Sequence, residues 1–421
     1  MIILLVSSIL IYLIGVIILL LSIKNGRITI LLIWPYLIYG TALPFAAYNY
    51  EMELFSYIDL FNYKNIVIAQ LIMLSGVILI YLLDKIFLTK DFFTKKINNI
   101  RKEENPIVVK IVNSKIYNIY IYIQSLILLF LLLWGWISGD LIIGDYLSSI
   151  SSNIWGTLGF FVENLLATIS IYIYGLLIFP EKIKRNKKME FLVLCVFIFR
   201  LLFGTRLFLA KLVVFILFIL LLYKKNYFKV FGGLIVLICI LSFFALFRLN
   251  AYYFDDINSL ILSSIFSEGY YTDLTLLISC EALNNARFEY QPLAVITFFS
   301  GLIPNFILDR NELINEFYNK SIIMQSLGAD SIAPLGAMSF LAELIYAFGW
   351  GYIVAIFVMA FFLILFIRKL NNSYNVCILF MLGQVAINLW RDSFNIAIKI
   401  FVVHILINFF VIYFLNKKIK I

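Results

Sequence analysis

The segment FIFRLLFGTRLFLAKLVVF carries three basic residues, Arg200, Arg206 and Lys211, in an otherwise apolar stretch. A charge at mid-bilayer depth costs roughly 2.5–3.5 kcal/mol on insertion scales, so residues of this kind tend to have a task. If the segment folds as two antiparallel helices meeting at Gly204–Thr205, the three can converge on one pocket. Arg248 and Arg391, each ending a later apolar run, fall at the same level. A pocket lined in this way would hold an anion. Arginine suits it, because its planar fork binds phosphate bidentately and keeps its proton. The competing reading is that these side chains snorkel to lipid headgroups or pair with loop carboxylates.

Proton acceptors are also at hand. Glu343 sits in the apolar stretch SFLAELIYAFGWG, and a desolvated carboxyl group is suited to general-base work. Asp392 adjoins Arg391, so it can be a second reacting carboxylate or simply that arginine's ion-pair partner. Glu163, in the fifth apolar run, is expected to pair with one of the arginines. The acidic residues between Asp255 and Asp330, Asp273 among them, read as ordinary solvated loop charges. His404, the only histidine, lies within the last apolar run and reads as packed rather than catalytic.

Other chemistries find no residues to carry them. The cysteines Cys195, Cys239, Cys280 and Cys377 form no CxxC, and there is no HExxH or acidic calcium loop, so neither a disulfide framework nor a metal or other cofactor is expected. A P-loop is missing too.

The elements that must position these residues follow from composition. Hydrophobic residues make up 63% of the 421 and charged residues 14%. A soluble domain of this size could not bury so much apolar surface, and the apolar runs are continuous rather than alternating. The expected fold is therefore an all-α polytopic membrane protein. Runs of spanning length fall near 2–22, 28–45, 65–83, 116–138, 158–179, 190–204, 206–223, 230–248, 350–367, 375–391 and 397–415, about eleven spans. The first lacks a basic n-region and a cleavage site, so it reads as a span rather than a signal peptide.

The formal charge of +9 invites a nucleic-acid reading, which the placement of the charge answers. Most Lys and Arg gather in alternate segments: Lys24 and Arg27, the stretch from Lys85 to Lys115, Lys182 to Lys188, Lys224 to Lys229, Arg368 and Lys369, and Lys417 to Lys420. The positive-inside rule makes these cytoplasmic, so the N-terminus faces out and the C-terminus in, with no nucleic-acid partner. The other segments agree: 46–63 carries Glu51, Glu53 and Asp59, and 139–157 carries Asp140 and Asp145. The basic pocket residues then lie at the outer boundary.

Three regions result: spans one to eight in 1–249, a large outer loop in 250–349, and spans nine to eleven in 350–421. Within the loop, Pro292 to Leu308 is broken by Gly301 and Pro304 and reads as a re-entrant or interfacial helix. If it and Ala333 to Phe348 both crossed the membrane, the count would be thirteen. An anion site at the outer leaflet suits a lipid-linked diphosphate, which brings its own leaving group, with Arg and Lys neutralising the departing charge.

The pattern resembles the O-antigen polymerases, the Wzy-type oligosaccharide repeat-unit polymerases of bacterial membranes. The likeness rests on Phe203-Gly204-Thr205-Arg206 at the outer hairpin and on the long outer loop. It continues with Gly336, Glu343, Phe348-Gly349 and Gly351 at the return to the membrane, and with Arg391-Asp392-Ser393-Phe394. The resemblance implies a GT-C-like fold in the bacterial plasma membrane. It implies a glycosyltransferase joining undecaprenyl-diphosphate-linked repeat units on the outer face, with membrane lipids and a chain-length regulator as further partners. Arg206 and Arg391 match the family's glycan- or diphosphate-binding arginines; Arg200, Lys211 and Arg248 rest on the physical argument alone. On these grounds the expected catalytic residues are Glu343, Asp392 and Arg206. The loop has no histidine, which sets the chain apart from the related O-antigen ligases. A ligase-like glycosyltransferase and a polysaccharide flippase are the alternatives.

Overall fold

The computed structural model describes residues 2–41, 63–89, 92–104, 106–143, 154–203, 207–223, 228–230, 232–233, 235–236, 272–281, 283, 292–300, 302–303, 307, 339–370 and 372–418. In chain order the α-helices are α1 (Ile2–Lys24), α2 (Thr29–Ile33), α3 (Tyr63–Phe87), α4 (Phe92–Arg101), α5 (Ile107–Val112), α6 (Lys115–Ile137), α7 (Ile154–Ile178), α8 (Lys187–Leu202) and α9 (Leu207–Leu222). They continue with α10 (Val295–Ser300), α11 (Phe340–Phe348), α12 (Tyr352–Lys369), α13 (Ser373–Arg391) and α14 (Phe394–Lys399). A π-helical stretch, Ile400–Ile407, follows and leads into α15 (Asn408–Lys418).

Polar residues at the ends of the apolar runs start and stop these helices. Ser114 caps α6 by accepting the Tyr117 N–H, Asn186 caps α8 through Met189, and Ser339 caps α11 through Ala342. After α1, Gly26 takes φ 54°, the left-handed conformation that closes helix C-termini, and the Arg27 N–H returns to the Ser22 carbonyl.

Among the described residues seven helices are long and apolar enough to cross a membrane: Val6–Lys24, Lys64–Phe87, Lys115–Ile137, Gly156–Ile178, Phe340–Lys369, Ser373–Arg391 and Phe394–Lys417. The protein is thus a multi-pass α-helical membrane protein. Four expected spans differ. The run 28–45 is split at Trp34–Pro35 into α2 and a helical stretch over 36–41, since proline offers no N–H to continue the ladder. The sixth and seventh are the 16-residue helices α8 and α9. The eighth, 230–248, lies mostly outside the described residues.

The return from the expected loop also differs. Helix begins at Phe340, not at 350, and runs through a 3₁₀ turn at Gly349–Gly351, where Gly349 has φ 55°, into α12. With nine residues α11 rises about 14 Å, too little to cross a bilayer core of about 30 Å alone. It prolongs the ninth span rather than adding one. Helix α10, six residues long, is likewise far short of a crossing. Residues 272–281, read from sequence as loop, are helical, with 272–280 buried.

The chain divides into two compact units. Unit 1 holds Met1–Phe93, Phe266–Lys369 and Val385–Lys399; unit 2 holds Thr94–Ile265, Leu370–Gln384 and Ile400–Ile421. In unit 1, α3 packs against α1 and α12. Helix α1 passes so close to Tyr36 that a Cβ at Gly15 would overlap the tyrosine ring. Arg27, counted from sequence as a cytoplasmic charge, is buried and bonds Asp84 at 3.2 Å, while the Thr29 N–H and hydroxyl occupy the other Asp84 oxygen. In unit 2, α7 packs against α6, α9, the π-helical stretch and α15. Side chains such as Leu10, Leu13, Ile17 and Leu20 of α1 and Phe130 and Trp134 of α6 stay exposed, as lipid-facing surfaces require.

Candidate functional site

In unit 1, Ser339 opens α11, and Glu343 follows in its first turn, 2% exposed among Leu341, Leu344 and Ile345. The Glu343 carboxylate accepts the main-chain N–H of Phe394 through Oε2 at 2.5 Å. This joins two sequence motifs 51 residues apart: the apolar stretch around Glu343 and the Arg391-Asp392-Ser393-Phe394 turn.

That turn is built by the end of α13. The Asp392 N–H closes on the Asn388 carbonyl at 2.7 Å, and the Asn388 side-chain amide donates to Asp392 Oδ2 at 2.5 Å. Arg391 Nη1 donates to Asp392 Oδ1 at 3.0 Å. Ser393 then starts α14, its hydroxyl accepting from the Ile396 N–H. Trp390 anchors the helix end, donating to the Leu32 carbonyl at 3.0 Å and meeting Phe340 and Tyr36 edge-on. On α14, Asn395 donates to Ser300 Oγ at 3.0 Å, while the Phe394 ring leans on Phe298 with centroids 5.0 Å apart. A buried carboxylate thus adjoins an Arg–Asp ion pair, in a framework fixed by aromatic packing. A carboxylate held by a neutral N–H can take a proton, and the guanidinium beside it can face an anion.

In unit 2 two of the expected basic residues, Arg200 and Lys211, are described. Arg200 is buried in the last turn of α8. Arg206, with Gly204 and Thr205, lies outside the described residues, and so does Arg248. Lys211 is 1% exposed, and its ammonium donates to Glu163 of α7. Glu163 was expected to pair with an arginine; its partner is this lysine, because α9 packs directly on α7. The Lys211 charge is thus matched by a carboxylate within the protein. His404 is buried as expected and hydrogen-bonded, Nδ1 lying 3.0 Å from Asn164 Oδ1.

Sequence reasoning missed two polar features. Asp273, read as a solvated loop charge, is fully buried, and neither of its carboxylate oxygens has a hydrogen-bond partner among the described residues. Burial pushes that carboxyl group well above the usual carboxylate range. Gln384 and Asn388, one turn apart in the apolar run VCILFMLGQVAINLW, are both buried. Their i, i+4 spacing within such a run was the available signal.

No protein-family model matches the chain, and neither does any curated protein or any solved structure.

Proposed function

We propose that this protein is a surface-polysaccharide polymerase, similar to the Wzy-type enzymes and with their GT-C-like framework. It would act in a bacterial plasma membrane, N-terminus outside and C-terminus in the cytoplasm. The growing glycan leaves undecaprenyl diphosphate and joins a hydroxyl of the next lipid-linked repeat unit. The observation that carries the reading is the hydrogen bond from Phe394 to Glu343, which draws together two of the motifs behind the resemblance.

In this reaction the bond between the anomeric carbon and the diphosphate oxygen breaks as a bond to the acceptor oxygen forms. Glu343 receives the acceptor's hydroxyl proton, leaving its other oxygen to the Phe394 N–H. Arg391 faces the diphosphate as negative charge collects on it, and Asp392 holds the guanidinium in place. Preorganised charge of this kind is where catalytic power usually resides. Direct displacement inverts the anomeric centre.

The test is reconstitution. Purified protein in nanodiscs, given lipid-diphosphate-linked oligosaccharide from its host, should yield a ladder rising by one repeat unit per step. Arg206→Ala should abolish the ladder without impairing insertion. Intact substrate after incubation with folded protein would overturn the assignment.

The second reading is transport of a lipid-linked glycan. The Glu163–Lys211 pair, with its lysine buried, favours it, since charges inside a span commonly mark a transport pathway. A flipping assay on the same nanodisc lipids, reconstituted into vesicles, separates the two.

A further inference from the structure

The end of unit 2 where α6 and α8 begin carries an excess of basic side chains, and the backbone there is firmly placed. The loop between α7 and α8 is pinned to the start of α6. Asn113 donates to the Lys182 carbonyl at 2.8 Å and accepts the Lys184 N–H at 2.9 Å. Asn186 donates to Asn118 Oδ1 and accepts from the Tyr122 hydroxyl, each at 3.2 Å. These bonds bring the first turns of α6 and α8 to one level, and the two helices pack on each other.

Lys115 opens α6, Lys187 and Lys188 open α8, and Lys184 lies in the loop; all are exposed. None of these lysines is paired with a carboxylate among the described residues. Arg185 differs, because its fork lies on Glu190 at 3.1 and 2.8 Å, and Tyr172 donates to the same carboxylate at 2.8 Å. Glu190 is thereby neutralised, and against the lysines stands exposed Glu181 at the start of the loop.

Each helix then continues as an apolar stripe. Lys115 is followed at helical spacing by Ile119, Ile123 and Leu126, and Lys187 by Phe191, Leu194 and Ile198. All of these apolar side chains are exposed, from 48% at Ile198 to 68% at Phe191. Axes of packed helices lie about 8–10 Å apart, so lysines heading the two helices can reach one phosphate between them. The pattern is charge at the head and hydrocarbon along the length. A soluble anion would leave the stripes uncovered, and a zwitterionic lipid would leave the ammonium groups unmatched.

We propose that this face binds an anionic phospholipid. Its phosphate sits among Lys115, Lys184, Lys187 and Lys188, and its acyl chains lie along the two stripes. Bound in this way, the lipid ties the α7–α8 loop to the first turns of both helices. The site lies in unit 2 alone and does not depend on the reaction proposed for unit 1.

The experiment titrates the full-length, detergent-solubilised protein with phosphatidylglycerol and counts bound lipids by native mass spectrometry. Phosphatidylglycerol should bind about tenfold or more tightly than phosphatidylcholine with the same chains. A lysine beside an anionic headgroup is worth about fivefold in affinity, so Lys115→Gln, Lys184→Gln, Lys187→Gln and Lys188→Gln together should cost about 100-fold or more. A control with the same charge change at exposed lysines of other helix ends, Lys24→Gln, Lys85→Gln, Lys369→Gln and Lys417→Gln, should lose less than about threefold. Arginine in place of the site lysines should preserve binding. Glycerol phosphate, which has the headgroup charge without the chains, should not displace the lipid. Equal affinity for the two lipids would overturn the proposal, as would equal losses in the two glutamine variants or displacement by glycerol phosphate. If the site variant fails to fold, the wild-type comparison of lipids and the double substitution Lys187→Gln with Lys188→Gln decide the question.

Discussion

Glu343 in unit 1 and Glu163 in unit 2 are both acidic side chains set in apolar helices, and they are held in different ways. A main-chain N–H satisfies one oxygen of Glu343; a lysine ammonium faces Glu163. A neutral donor leaves the carboxylate able to collect a proton from a substrate hydroxyl and release it again. A cationic partner fixes the charge and makes each member of the pair costly to remove singly. The contrast teaches that an acid set in an apolar helix is classified by its partner and not by its burial.

The largest effect that would test this contrast is on turnover. Glu343→Gln should slow glycan transfer by about 100-fold or more in protein that remains folded, as loss of a general base does. A single-turnover rate equal to wild type would remove Glu343 from the chemistry. Next comes stability: Glu163→Gln alone should cost about 3–5 kcal/mol by leaving the Lys211 ammonium buried without its counter-ion. The double substitution Glu163→Gln with Lys211→Met should recover most of that loss in denaturation of the detergent-solubilised chain. A double variant as unstable as the single one would mean that the pair is not what the helices depend on.

Asp273 extends the comparison to a buried acid with no described partner. Folding holds its proton, while the unfolded chain releases it above about pH 4. The native state then binds more protons than the unfolded state, so this residue makes stability fall as pH rises from about 4 toward neutrality. Asp273→Asn should flatten that decline, and thermal melts at pH 5 and pH 8 will measure the difference. The smallest effect concerns a neutral hydrogen bond in unit 2. Tyr120→Phe removes the hydrogen bond to Asn408 and should cost about 1 kcal/mol in the same denaturation assay.

The apolar runs were legible before any coordinates, and α1, α3, α6 and α7 fall on four of them. The kinship of Arg391 and Asp392 was also readable, because neighbours in sequence need no tertiary contact to meet. The reading failed at Glu163, whose partner lies 48 residues away, and at Asp273, which polarity alone made look solvated. It also began the ninth span ten residues late, since Gly349 and Gly351 looked like the end of a loop when they are a turn within a continuing helical segment.

The sequence by itself determined that this is a multi-pass helical membrane protein, because the length and apolarity of a run are local properties and a bilayer accepts only closed backbone hydrogen bonding. Only the tertiary structure decided which charge meets which. A helix displays every side chain it carries, and packing against a neighbour selects the ones that become partners. That selection gave Glu163 to Lys211 and Glu343 to the Phe394 N–H.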